Sequence, residues 1–288
     1  MRIGAVFPQT EIGDDPTVIA DFAQAVEGMG FDHLLVGEHV LGADPADRDP
    51  PWTSVFTKDS AFHEPFVLFG YLAGLTASLE LVTGVLILPQ RQTALVAKQA
   101  AEVDILSGGR RLRLGVGIGW NYVEYEALGQ DFATRGRRQE EQVRLLRDLW
   151  REETLSLSGE WDRIDRAGLN PRPGREIPIW FGGSSDRLLE RAGRTGDGWI
   201  ATGGVRAEQA GPIVDKLHAS AQAAGRDPRS FGIEAWASAQ DDPKRWAADA
   251  ERWERLGATH ISMTTTSAGF RSVDEHLEAL RRFKAALG

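Results

Sequence analysis

The chain has 288 residues, 42% of them hydrophobic and 26% charged, an ordinary globular composition that excludes disordered, collagen-like and fibrous classes. It has no cysteine, so disulfide frameworks, thiolate metal sites, iron–sulfur clusters and cysteine nucleophiles are excluded too. Acidic residues number 42 against 33 basic ones, a formal charge of -9, and nonspecific partners such as nucleic acid or anionic membrane are not expected, although local basic pockets are still allowed.

Residues 2–7 read as a first strand, and the apolar part after Arg2 is too short for a secretory leader. Asp15-Pro16 then offers an N-cap and a first-turn proline ahead of a stripe of Val18, Phe22, Val26 and Met29 at helical spacing. Residues 32–37 make a second strand. The stretch 41–64, with Pro45, Pro50 and Pro51, is a long loop after it. The apolar run 81–88 reads as a third strand covered on both faces, well short of the roughly 18–20 residues a membrane span needs. Val96, Ala100, Val103 and Leu106 mark a helix, 111–116 a strand, and Val143, Leu146 and Trp150 another helix.

A second long interruption spans 153–176, in which Thr154 to Ser158 and Trp161 to Ile164 flank Gly159 as a small hairpin. Beyond it come a strand at 177–181, a helical pattern from Asp186 to Ala192 and a strand at 199–201. Ile213, Leu217 and Ala221 then mark a helix, followed by a strand at 231–237 and the stripe Trp246, Ala250, Trp253. A strand at 259–264 and a last helix close the chain. Ser272 and Glu275 form a capping box before the last stripe of Val273, Leu277, Leu280 and Leu287. Eight βα units in succession point to an α/β fold, a (β/α)8 TIM barrel forming one domain over 1–288, with insertions at about 41–64 and 153–176. No leader or membrane span is expected, and the expected location is the cytoplasm.

A barrel of this kind carries its chemistry at the C-terminal ends of its strands. Those positions hold Pro8-Gln9, Glu38-His39, Pro89-Gln90-Arg91, Gly117 to Asn121, Gly182-Gly183-Ser184-Ser185, Thr202-Gly203-Gly204 and Thr264-Thr265. Gly182-Gly183-Ser184-Ser185, directly before a helix, is the best candidate for a phosphate-binding turn, because its backbone N–H groups can approach an anion closely. The same residues also suit a plain turn in which Ser184 or Ser185 is the helix N-cap. Gly115, Gly117 and Gly119 do not fit the dinucleotide fingerprint, no His-x-His or His-Glu-x-x-His metal set is present, and no Gly-x-Ser-x-Gly nucleophile elbow occurs. His39 reads either as a strand-capping histidine or as an acid/base group. Arg135, Arg137, Arg138, Glu140 and Glu141 read as a solvated, salt-bridged helix face.

Three separated segments resemble one family. Leu106-Ser107-Gly108-Gly109-Arg110 with Leu114 to Trp120, Glu124 and Ala127-Leu128-Gly129 is similar to the central signature of the luciferase-like monooxygenases. Pro178 to Gly183 followed by Ala192 to Trp199 resembles the downstream signature, and Thr83 to Pro89 the third-strand segment. The closest resemblance is to the coenzyme F420-dependent oxidoreductases of actinobacterial type. The resemblance implies a flavin or deazaflavin in the barrel mouth, its phosphate on Gly182, Gly183 and Ser184 beside Phe181. It also implies a cis peptide at Gly84–Val85 behind the ring, Gly117, Ile118, Gly119 and Trp120 along the ring with Glu124 near them, and Glu38-His39 at the reactive edge. A homodimer is implied as well.

One departure matters. In the sugar-phosphate dehydrogenase branch a carboxylate stands where this chain has Trp120, and the lysine expected near Gly204 is absent. A phosphorylated sugar is therefore not the expected substrate, and Trp120 suggests an apolar or aromatic one. The leading expectation is an F420-dependent oxidoreductase acting on a small organic molecule, with His39 and Glu38 as catalytic residues. An FMN-dependent monooxygenase and a non-catalytic flavin-binding barrel are the alternatives.

Overall fold

The computed structural model describes residues 1–49, 51–202 and 204–288, so Pro50 and Gly203 lie outside the described residues. Its strands in chain order are β1 (Arg2–Val6), β2 (His33–Val36), β3 (Glu80–Thr83), β4 (Leu86–Ile87), β5 (Leu112–Gly117), β6 (Leu155–Ser158), β7 (Arg163–Ala167), β8 (Ile179–Gly182), β9 (Gly198–Ile200), β10 (Gly232–Ser238) and β11 (His260–Thr264). All but β6 and β7 pair in parallel in the order β3-β2-β1-β11-β10-β9-β8-β5-β4, and β3 pairing with β5 closes the barrel. The third strand of the barrel is thus two pieces, β3 and β4. The run 81–88 is interrupted at Gly84-Val85 rather than continuous. β6 and β7 form the expected antiparallel hairpin.

Helices α1 (Pro16–Gly28), α2 (Pro65–Ala73), α3 (Thr93–Leu106), α4 (Tyr122–Ala127), α5 (Arg135–Arg151), α6 (Asp186–Thr195), α7 (Ala210–Ala223), α8 (Trp246–Arg255) and α9 (Val273–Leu287) connect the strands. Capping sets several starts. Asp15 accepts from the Thr17 N–H at 2.8 Å with Pro16 in the first turn, and Ser272 accepts from Glu275 N–H at 3.3 Å. α2 lacks a periodic stripe because Pro65 to Ala73 is apolar on every side, and six of its residues are buried. Leu106 departs from its expected core position and is 68% exposed at the end of α3.

Alternation along each strand sorts side chains outward, where they meet the helices, or inward. The outward set, with Leu34, Leu81, Leu114, Ile179 and Phe181, joins the helices in the main core. The inward set forms two layers. Val6, Leu35, Val82, Trp180 and Ile200 make an apolar layer. Trp180 fits because Gly198 and Gly232 flank it; a Cβ on either would lie 2.3 or 2.1 Å from its ring. Nearer the strand starts lies a buried polar layer. Glu234 accepts from His33 Nε2 (2.7 Å), the Ser262 hydroxyl (2.6 Å) and Arg113 (2.6 Å). The Arg113 guanidinium also stacks over Trp180, 4.2 Å from its centroid. These two layers plug the barrel below the C-terminal strand ends. Among the described residues no helix is long and apolar enough to cross a membrane.

Candidate active site

The strand ends converge on Val85. The Gly84–Val85 peptide is cis, at the bond the family resemblance singles out. A Cβ on Gly117 would lie 2.5 Å from one Val85 methyl, and a Cβ on Gly182 would lie 2.5 Å from the other. Both positions are glycine because β5 and β8 must close onto this wedge. Gly119 has φ +64°, and a Cβ there would meet Ile87 at 2.7 Å. The loop through Ile118 is fixed from behind. The Tyr125 hydroxyl donates to Ile118 O at 2.6 Å, and burial pushes the phenol's pKa up.

Glu38 is clamped. Its Oε2 accepts from Ile87 N–H at 2.5 Å, its Oε1 from Arg91 Nε at 2.6 Å, and Arg91 also bonds Glu64 at 2.8 Å. Burial pushes this carboxyl above the usual glutamate range, with the Arg91 charge pulling it back. With both oxygens engaged, Glu38 locks β2 to the β4 end and does not present a free carboxylate.

His39 meets a different carboxylate. Its Nδ1 lies 3.1 Å from Glu124 Oε1, which also accepts from the N–H groups of Val40 (2.7 Å) and Leu41 (3.1 Å). Asn121 adds a bond to Leu41 O at 2.9 Å while capping α4, so the α4 start moors the whole 39–41 segment. Nδ1–H donation to Glu124 leaves Nε2 with no hydrogen-bond partner among the described residues. Around the ring stand Phe62 (4.8 Å between centroids), Trp120 (5.1 Å) and Phe56 (5.5 Å). Phe56, Phe62 and Trp52 come from the 41–64 insertion, and Trp52 packs against Trp120 at a tilt of 55°, 5.4 Å between centroids. A fixed imidazole in an aromatic box can exchange a proton with a bound molecule while the box covers its apolar parts.

The phosphate-turn candidate follows β8. Gly183 has φ +127°, and its carbonyl accepts from Trp199 Nε1 at 2.6 Å. Ser184 is exposed, and Ser185 is the N-cap of α6 yet makes no side-chain cap bond. Its hydroxyl and the first α6 N–H groups therefore present donors to solvent, as an anion site would.

The structure brings together His39, Glu124, Trp120, Val85, Gly84, Gly117, Ile118 and Gly119 at one end of the barrel, with Gly182, Gly183 and Ser184 on the adjacent strand. Three expectations are revised. Glu38, expected to be catalytic beside His39, has both oxygens engaged by Ile87 N–H and Arg91 and is a positioning residue. The Phe181 side chain is wholly buried in the core between barrel and helices, so only its backbone can face the mouth. The Arg135–Glu141 cluster is not one solvated face. Arg138 is buried, and Glu141 accepts from the backbone N–H groups of Glu160, Trp161 and Asp162, holding the hairpin against α5. Sequence reasoning also missed the clamps Arg91, Asn121 and Tyr125 and the box residues Trp52, Phe56 and Phe62. Only the strand-end positions of Arg91 and Asn121 hinted at a role.

The chain matches the luciferase-like monooxygenase family over residues 1–285. An uncharacterized protein of Mycobacterium tuberculosis is 35% identical over 202 residues, 69% of each chain. An F420-dependent glucose-6-phosphate dehydrogenase of Kineococcus radiotolerans is 30% identical over 253 residues, 85% of this chain and 70% of the relative. An FMNH2-dependent dimethylsulfone monooxygenase of Pseudomonas fluorescens is 33% identical over 222 residues, 76% of this chain and 56% of the relative. The structure of an F420-dependent secondary alcohol dehydrogenase with an F420–acetone adduct superposes with a TM-score of 0.78 over 100% of this chain and 99% of that one, at 17% identity. The barrel and these relatives agree: the chain is an oxidoreductase of the luciferase-like monooxygenase family.

Proposed function

We propose that this protein is an F420-dependent oxidoreductase that moves a hydride between the deazaflavin and a small organic substrate with apolar or aromatic parts. The observation that carries the reading is His39, held by Glu124 at 3.1 Å inside the box of Phe56, Phe62 and Trp120. A proton must move alongside a hydride at a carbonyl or alcohol, and His39 Nε2 is the group suited to give or take it. Trp120, standing where the sugar-phosphate branch has a carboxylate, favours an apolar substrate.

The residues present fit such a cofactor. Gly117 and Gly182 let β5 and β8 close on Val85, leaving no side chain of their own at the mouth, and the Gly182-Gly183-Ser184 turn offers backbone donors. When bound, the deazaflavin supplies the hydride-carrying atom. Val85 would back the ring, Gly117 to Trp120 would border it, and Glu38 with Arg91 would keep β2 in place. The proposed assembly is a homodimer in the cytoplasm.

The second reading, an FMN-dependent monooxygenase, is favoured by the Pseudomonas relative. Titrating the purified protein with the deazaflavin and with FMN, following ring fluorescence, separates the two. Tighter deazaflavin binding is expected. Tighter FMN binding would replace this reading with the monooxygenase.

A further inference from the structure

Between α5 and α6, next to the phosphate-turn candidate, lies a cleft of about 600 Å³. Ser185 is at one edge, and five guanidinium groups line it, from Arg135, Arg137, Arg187, Arg191 and Arg194, against the two carboxylates of Glu140 and Glu190. Two of the five are paired, Arg194 with Glu140 (2.7 Å) and Arg137 with Glu160 (3.1 Å). Arg135 lies over the Phe132 ring and bonds its carbonyl.

Arg191 is the unusual one. It is 7% exposed, and its Nε and one terminal nitrogen have no hydrogen-bond partner among the described residues. Burial pushes its pKa down, and Arg194, Arg187 and Arg135 push the same way, with Glu140 alone opposing them. A buried guanidinium without a carboxylate is costly, because desolvation is not offset. The fold nevertheless makes room for it. A Cβ on residue 136 would lie 3.0 Å from Arg191 Nη1, and that residue is glycine. Asp186, the acidic residue opening α6, pairs with Lys216 at 2.5 Å rather than with this arginine.

We propose that this cleft is a second anion site, floored by Arg191, which seats the carboxylates of a cofactor tail that runs on past the phosphate turn. The assignment rests on the deazaflavin reading above, since FMN ends at its phosphate and the deazaflavin continues into an oligoglutamyl chain. The site sets cofactor specificity. Arg191 and its neighbours favour a long anionic tail, and the contribution weakens as salt screens the exposed members of the cluster.

The test uses the whole chain and reads binding. Fluorescence titrations compare deazaflavin with several glutamyl residues, deazaflavin with one, and FMN, on wild type, Arg191→Gln and the exposed-site variant Arg187→Gln. Circular dichroism and melting temperature establish that each variant is folded. The long-tailed form should bind wild type at least about 10-fold tighter than the one-residue form, from charge-assisted bonds to the tail. That advantage should shrink in Arg187→Gln and vanish in Arg191→Gln, with one-residue binding unchanged. Equal affinity for both tail lengths in wild type overturns the proposal.

A second arm tests the source of the anion, with free triglutamate and inorganic pyrophosphate as thermal-shift probes. A rise in melting temperature on wild type, absent in Arg191→Gln, together with no tail-length effect, assigns the cleft to a separate anion and overturns the tail assignment. The FMN arm isolates the cofactor reading. FMN binding with no deazaflavin binding at any tail length refutes the F420 function, whereas deazaflavin binding indifferent to tail length refutes the cleft alone.

Discussion

Replacing Glu124 by alanine removes the one oxygen that accepts from His39 Nδ1, Val40 N–H and Leu41 N–H. A hydrogen bond to a charged acceptor contributes roughly 1.5–3 kcal/mol, and a buried donor left unpaired costs a comparable amount. The two backbone donors belong to residues 43% and 46% exposed, so water can replace the lost carboxylate there. The His39 side chain is only 12% exposed and recovers less. We therefore expect about 2–4 kcal/mol of lost stability, which in a domain of this size lowers the melting temperature by roughly 4–8 °C. Glu124→Gln keeps an acceptor oxygen for the backbone donors and should lose under about 1.5 kcal/mol. Differential scanning fluorimetry reads the stability, and reoxidation of the reduced deazaflavin by added quinones or enones supplies a surrogate turnover. Both variants should turn over more slowly, because the imidazole loses the anion that orients it. An Ala variant with wild-type melting and wild-type turnover refutes the clamp. A destabilised variant with full turnover shows that His39 needs no orientation by Glu124.

His39→Ala should lower the surrogate turnover about 100- to 10,000-fold with cofactor affinity retained, whereas near-normal rates in His39→Ala and His39→Asn would move the proton role elsewhere. Glu234→Gln should cost about 3–5 kcal/mol in a urea unfolding measurement, because buried Arg113 loses its 2.6 Å partner and keeps only the looser 3.4 Å contact with Glu80, and deazaflavin affinity in the folded fraction should be unchanged. Acid should destabilise the fold. Burial holds His260 near pKa about 3 and lowers His276 below its ordinary 6.5, so below about pH 6.5 the unfolded chain takes up protons that the folded chain refuses. Each such histidine removes at most about 1.4 kcal/mol per pH unit, and Glu234, held low by His33 and Arg113 despite its burial, adds a further loss below its ordinary 4.5. Urea midpoints at pH 7.5, 6 and 5 should fall steadily, and His260→Gln should flatten the slope; a flat profile in the native protein refutes the assignment.

The barrel was legible because its strands are covered on both faces and read as apolar runs with glycines at their ends. What escaped were features without a period. α2 has no polar face to mark a stripe, and α4 is six residues long. The polar plug is invisible in a linear reading, since His33 and Glu234 stand 201 positions apart and Arg113 and Glu234 stand 121. Each reads locally as a polar residue interrupting a strand, and only barrel closure brings the three within hydrogen-bonding distance.

At the mouth, strand-end position was enough to select His39, Gly117 to Trp120 and Gly182 to Ser184. Pairing was harder. Glu38 adjoins His39 in sequence and reads as its natural partner, yet beyond the end of β2 the two side chains diverge, Glu38 to Arg91 and Ile87 and His39 to Glu124, 85 positions on. Charge was least legible of all. A net charge of -9 describes the far field, which decides whether a polyanion is attracted from a distance. It says nothing about a cleft a few ångströms wide, where α5 and α6 place five arginines around two carboxylates. Those arginines belong to two segments some 50 residues apart, and within each segment acidic neighbours mask them as helix-face ion pairs. Packing α5 against α6 separates the paired from the unpaired, and Arg191 is left facing inward.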